Sequence, residues 1–76
     1  MAKQLTPKEA ANETIDGLAC PWFSETFTPN EDSTRNALKE ELGWGDSLNG
    51  MNDAKIEQAI DELAKLIQER IDMHNQ

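Results

Sequence analysis

Residues 53–73 read DAKIEQAIDELAKLIQERIDM, and their pattern is the strongest indication of the fold. Its apolar side chains recur every three or four residues, a spacing that places them on one face of an α-helix. The apolar stripe consists of Ile56, Ala59, Ile60, Leu63, Ile67 and Ile71, flanked by Leu66 and Ala64. On the acidic outer face, Asp61 precedes Lys65 by four residues, in the order that stabilises a helix. We predict a long C-terminal amphipathic helix over residues 53–73, capped by Asn52 or Asp53.

A repeated start signal predicts two earlier helices. The signal is TPKE at residues 6–9 and TPNE at residues 28–31. The hydroxyl of a Thr at the N-cap can accept a hydrogen bond from a backbone N–H of the first turn, and Pro fits the first helical position. The Glu carboxylate can accept a hydrogen bond from the backbone N–H of the cap residue. We therefore predict helices over residues 7–17 and 29–42. The second should end where Gly43 adopts a left-handed conformation.

The predicted fold is a single all-α domain over residues 1–76, with a short, a medium and a long C-terminal helix. Strand formers are scarce, because the sequence has no Val and no Tyr. A chain of 76 residues and 8.5 kDa has room for one small core. Such a core supplies about 3–5 kcal/mol. A large pocket with a buried reaction centre is therefore not expected.

The charge balance is strongly acidic. Fifteen Asp and Glu against seven Lys and Arg give a net charge of −8, and the pI is about 4.4. This field repels nucleic acids and anionic membranes, so we expect neither to bind directly. It attracts basic surfaces, and proteins that bind nucleic acid are reliably basic on one face. Net charge also serves the solubility of a small domain, which is an alternative explanation.

Metal-binding patterns are weak, and we expect no metal or cofactor. Cys20 and His74 are the sole cysteine and histidine, which is too few ligands for a zinc site. Residues 46–57 have the twelve-residue length of a helix–loop–helix calcium loop. Gly50 falls fifth instead of sixth in that loop, however, and Leu48 occupies a ligand position. A glycine turn leading into the Asn52 cap explains these residues more simply.

Catalytic patterns are equally weak, and we predict that the chain is not an enzyme. Cys20 lies in an apolar run, where a free cysteine is usually a small buried side chain. His74, near the C-terminus, is more easily read as a surface cation than as a general base. The sequence has no glycine-rich phosphate loop.

Features typical of binding remain. Residues 9–34 contain six acids and no Lys or Arg. They combine an acidic helix stripe with the apolar run at Trp22, and aromatics surrounded by charge are typical interface anchors. An alternative is that the four aromatics form the core, which still allows one of them, Trp22 or Trp44, to be partly exposed as an anchor. The candidate partner-binding residues are Glu9, Glu13, Asp16, Trp22, Phe23, Trp44, Asp61, Glu62 and Glu69.

These features predict an inhibitor or regulator that docks on a basic surface of a host protein, such as a nucleic-acid enzyme. Small acidic helical proteins of phages and other mobile elements often have this profile. One alternative is a nucleic-acid mimic whose carboxylates stand where phosphates would. Another is a structural subunit that forms a homo-oligomer, for instance a homodimer, through the C-terminal helix. The sequence has no signal peptide, no bilayer-spanning apolar run and one unpaired cysteine, which favours a cytoplasmic protein.

Overall fold

The computed structural model describes residues 5–18, 20–24, 26–44 and 47–74. These residues form three α-helices and one short 3₁₀ helix. The helices follow one another as short, medium and long, so the predicted all-α fold is confirmed. The predictions made for the Cys20 side chain and for Asp46, the first residue of the calcium-type loop, lie outside the described residues.

The long helix, α3, covers Asp53–His74 and contributes the largest part of the core. Its buried side chains are Ala59, Ile60, Leu63, Ala64, Ile67 and Ile71. Asn52 caps the helix, because its Oδ1 accepts the Lys55 N–H at 2.9 Å and its carbonyl accepts the Ile56 N–H at 2.9 Å. The predicted amphipathic helix and its cap are both confirmed.

The first helix, α1, covers Pro7–Ile15 and begins at the predicted capping box. The Glu9 N–H donates to Thr6 Oγ1 at 3.1 Å, and the Thr6 N–H donates back to Glu9 Oε1 at 3.0 Å. The helix ends two residues before the predicted position. There the Gly17 N–H donates to the Thr14 carbonyl, three residues back, at 3.0 Å, which tightens the last turn. Its buried side chains are Ala10, Ala11 and Ile15.

The second helix, α2, covers Asp32–Trp44 and begins three residues later than predicted. The Glu31 N–H donates to the Thr28 carbonyl at 3.2 Å, so Pro29 lies in a turn, where its fixed φ is also favourable. The Thr28 hydroxyl donates to the Glu31 carboxylate at 3.1 Å. The first helical hydrogen bond then runs from the Arg35 N–H to the Glu31 carbonyl at 2.9 Å. The second TPxE signal therefore forms a turn before the helix.

The prediction that Gly43 ends α2 is wrong, because the helix continues through it to Trp44. Among the described glycines, the left-handed conformation belongs to Gly50, at φ 82°. Gly50 lies in a turn closed by a 3.0 Å hydrogen bond from the Met51 N–H to the Leu48 carbonyl. A side chain would be strained at this φ, which explains the glycine. The turn leads directly into α3.

The apolar stripe of α3 is covered by the chain's own elements. α1, α2 and the 3₁₀ helix Cys20–Phe23 all contact α3. Trp22, Phe23 and Phe27 are half-buried against this core. The Trp22 and Phe27 rings meet edge-on, with centroids 6.4 Å apart and planes at 72°. The stripe that suggested pairing with a second copy is thus occupied within one chain.

Two arginines tie the other helices to α3. Arg35 on α2 donates from Nη2 to Glu57 Oε2 at 2.6 Å and from Nη1 to Asp61 Oδ1 at 2.7 Å. The hydrogen bond to Glu57, followed by that to Asp61, raises the pKa of Arg35. Arg70 on α3 donates to Asp16 Oδ1 at 3.3 Å, at the C-terminal end of α1. Three acidic side chains thus share ion pairs with two arginines.

Candidate functional site

Trp44 is the most exposed large apolar side chain in the described part of the chain, at 84%. It is the last residue of α2, in which Leu38 and Leu42 are fully buried. Each residue advances about 100° around a helix. Trp44, two positions after Leu42, therefore faces away from the core. The indole is displayed to solvent because α2 continues through Gly43.

Two shallow depressions border Trp44. The first has a volume of about 310 Å³ and is lined by Glu13, Thr14, Gly17, Glu41, Trp44 and Ser47. The second has a volume of about 400 Å³ and is lined by Glu40, Gly43 and Trp44. Glu40 and Glu41 precede Trp44 by four and three residues, so they are its neighbours on the helix surface. We call Trp44, Glu13, Glu40 and Glu41 together the Trp44 surface.

The carboxylates of the Trp44 surface have no cationic partner among the described residues. The ion pairs of the described residues involve Glu57, Asp61 and Asp16 instead. Neither depression is lined by Lys or Arg. Both ion-paired arginines of the described chain contact carboxylates outside this surface. Negative charge is therefore uncompensated beside an exposed indole.

The three predicted acids of α1 have separate roles in the structure. Glu13 is exposed and lines the depression beside Trp44. Glu9 belongs to the capping box of α1, where its carboxylate accepts a backbone N–H. Asp16 pairs with Arg70. The predicted acidic stripe is thus divided, and one of its three members reaches the Trp44 surface.

The predicted acids of α3 line neither depression beside Trp44. Asp61 accepts a hydrogen bond from Arg35 and so belongs to the contact between α2 and α3. Glu62 is half-buried on α3, and Glu69 is exposed. These side chains add to the overall field, but they do not surround an exposed aromatic ring.

Trp22 and Phe23, the other predicted aromatic anchors, are half-buried against the core. Trp22 is also held by its edge-on contact with Phe27. Neither side chain lines a depression beside Trp44. Of the two tryptophans expected as exposed anchors, the structure displays Trp44.

Glu40 and Glu41 belong to the Trp44 surface, although they are not among the residues predicted from the sequence. Their spacing of four and three residues before Trp44 was the available signal. That signal applies only if Trp44 is helical, and the predicted helix ended at Leu42. The misplaced end of α2 therefore hid the relation between these acids and the indole.

Two features are absent from the residues that the structure describes. No group of three or more His, Cys, Asp or Glu side chains there could hold a metal ion. No helix there carries an apolar stretch long enough to cross a bilayer. His74 is exposed at the end of α3. Comparison with protein-family models, with curated proteins and with solved structures gave no match.

Proposed function

We propose that this chain is a non-enzymatic binding protein, an inhibitor or regulator that docks through the Trp44 surface on a basic face of a partner protein. The observation that carries the proposal is the 84% exposure of Trp44. Tryptophan is among the side chains most enriched at binding hot spots. Leaving such a ring in water is unfavourable, and a partner that covers it removes that penalty.

The charge of the surface indicates what kind of partner fits. Glu13, Glu40 and Glu41 surround the indole without cationic partners among the described residues. Burying these carboxylates against a neutral or acidic protein would be unfavourable, whereas a basic face supplies the missing charge. The net charge of −8 extends the attraction beyond the contact itself.

The proposed mechanism divides the work between charge and the aromatic ring. Long-range attraction to a basic face speeds association, and burial of Trp44 slows dissociation. Nucleic-acid-binding proteins present basic faces of this kind. A small acidic domain seated on such a face blocks access of the nucleic acid, which is how docking becomes inhibition.

The two alternatives have less support. A nucleic-acid mimic needs a regular row of free carboxylates, but Glu9 and Asp16 make contacts within the chain. A homodimer through α3 needs a free apolar stripe, but the other elements cover that stripe. Docking through the Trp44 surface uses groups that are available, and we therefore favour it.

The test compares three tagged proteins as baits in a bacterial lysate: the wild type, Trp44→Ala and Met73→Ala. Met73 is the matched control, because it is a large apolar side chain that is also exposed, at 71%. We expect a nucleic-acid-binding protein that the wild type and Met73→Ala retain and that Trp44→Ala loses. Moderate salt should release it, since screening weakens the attraction between exposed charges.

Affinity for the captured protein then gives the quantitative result. Loss of a tryptophan anchor should weaken binding by about 2 kcal/mol, or roughly 30-fold, mostly through faster dissociation. Circular dichroism should show both variants folded, because substitutions at such exposed positions change stability by about 0.5 kcal/mol or less. If Trp44→Ala retains the same proteins as Met73→Ala, with the same salt release, the proposal fails. Displacement of the captured complex by duplex DNA would locate the docking site over the nucleic-acid site.

A further inference from the structure

We propose that the Trp44 surface binds an arginine side chain of the partner, with the guanidinium on the indole of Trp44 and its N–H groups directed to Glu40 and Glu41. This inference rests on the proposed docking function and specifies its chemistry. It follows from the kinds of group gathered at the site. The surface offers one exposed aromatic face and several acceptors, and no donor with a positive charge lines it among the described residues.

The chain itself shows how its helices bind a guanidinium. Arg35 lies across two carboxylates of α3, Glu57 and Asp61, which are four residues apart, at 2.6 and 2.7 Å. Glu40 and Trp44 are also four residues apart, on α2. A guanidinium that spans one helical turn there would meet a carboxylate at one end and the indole at the other. The proposed site would thus have the same four-residue spacing as the Arg35 contact on α3, with the Trp44 indole in place of the second carboxylate.

Arginine fits this arrangement better than lysine. Its guanidinium is planar, stacks on aromatic faces and donates paired N–H groups to carboxylates. It is also more weakly hydrated than an ammonium group, so removing it from water is less unfavourable. Lysine would keep the charge attraction but would lose the stacking and the paired hydrogen bonds. The site is therefore expected to distinguish two residues of equal charge.

The opposing explanation is attraction by net charge alone. A chain with a charge of −8 binds any cationic peptide weakly at low salt. Such binding would not favour arginine over lysine, and it would not be centred on one indole. The test therefore has to measure both selectivity and position.

The probes are two short peptides of equal length and charge, one alternating glycine with arginine and the other glycine with lysine. The readout is the pair of indole N–H resonances of the full-length ¹⁵N-labelled protein at low salt. Trp44 and Trp22 are the two tryptophans of the chain, and the half-buried Trp22 serves as an internal reference. Trp44→Phe assigns the two resonances by removing one of them.

We expect the arginine peptide to shift the Trp44 resonance saturably while that of Trp22 stays in place. The lysine peptide should bind roughly two- to fivefold more weakly, or by about 0.5–1 kcal/mol, because an ammonium group can neither stack flat on the indole nor donate paired hydrogen bonds. Glu40→Gln combined with Glu41→Gln should weaken the arginine peptide more than Glu62→Gln combined with Glu69→Gln. Both double variants change the net charge equally.

Equal binding of the two peptides, or equal weakening by the two double variants, would overturn the arginine proposal. So would binding that leaves the Trp44 resonance unmoved. These failures differ from failure of the docking function itself. If the wild type and Met73→Ala still retain a protein that Trp44→Ala loses, docking through Trp44 stands and arginine is not its occupant.

Discussion

Replacing Arg35 by Gln tests how α2 is held against α3. The Arg35 side chain is 25% exposed, whereas its partners Glu57 and Asp61 are 63% and 62% exposed. Gln keeps much of the aliphatic stem and has a similar helix propensity, so the substitution mainly removes the charge and its two hydrogen bonds. It also leaves two carboxylates four residues apart on α3 without the cation between them.

The expected destabilisation is about 1 kcal/mol. Exposed ion pairs contribute about 0.2–1 kcal/mol each, and the exposure of the two carboxylates favours the lower half of that range. Repulsion between like charges four residues apart adds about 0.2–0.5 kcal/mol once Arg35 is gone. For a domain of this size, a loss of 1 kcal/mol lowers Tm by about 4–8 °C.

The assay is thermal unfolding followed by circular dichroism, at low salt and at about 1 M salt, where the screening length falls to about 3 Å. The difference between Arg35→Gln and the wild type should shrink at high salt. Arg70→Gln is the control, because its pair with Asp16 is longer, at 3.3 Å, and both side chains are exposed. It should cost less than about 0.5 kcal/mol.

The pH range of this stabilisation follows from the raised pKa of Arg35. A group whose pKa is higher in the folded state stabilises the fold at every pH below its unfolded value, and that contribution is lost as the pH rises through the folded value. For an arginine this loss lies far above neutral pH, so salt is the informative variable. The ion pairs of Arg35 do not stabilise the fold if Arg35→Gln unfolds at the wild-type Tm at low salt. The same holds if the loss of Tm is equal at both salt concentrations.

Four further substitutions test the fold. Leu38→Ala should cost about 2–5 kcal/mol, because Leu38 is fully buried, and urea titration should show a largely unfolded protein, since a core of this size supplies about 3–5 kcal/mol. Thr6→Ala should cost about 1 kcal/mol, because the Thr6 hydroxyl accepts a hydrogen bond from a backbone N–H of α1. Thr28→Ala should cost less, because the Thr28 hydroxyl donates to a carboxylate in the preceding turn. Equal losses of Tm would contradict the two assignments. Gly50→Ala should cost about 1–2 kcal/mol, because Gly50 has a φ of 82°, and an unchanged urea midpoint would show that this turn tolerates a side chain.

The parts of the fold that could be predicted are those that local chemistry determines. The stripe of α3 repeats over about four helical turns, so one misread residue could not have changed its assignment. The capping box of Thr6 and Glu9 is formed by neighbouring residues and needs no tertiary partner. For the same reason, the Asn52 cap was visible in the sequence.

The parts that could not be predicted depend on a choice between two local structures. Pro29 is equally compatible with a first helical turn and with the second position of a β-turn, and the Thr28 contact with Glu31 favours the turn. Gly43 can end a helix or continue one, and its sequence neighbours do not distinguish the two. The display of Trp44 beside Glu40 follows from that second choice. The candidate site was therefore less predictable than the core.

The weak burial of α2 links local opening to binding. α2 buries two side chains, Leu38 and Leu42, whereas α3 buries six. Segments with few buried contacts open at a lower free energy than the whole domain, so the backbone amides of α2 should exchange with deuterated water before those of α3. If a partner binds Trp44 as proposed, it binds only while α2 is folded, so its measured affinity would include the free energy of folding α2. Affinity at the C-terminal end of α2 is therefore linked to the Arg35 ion pairs near its start.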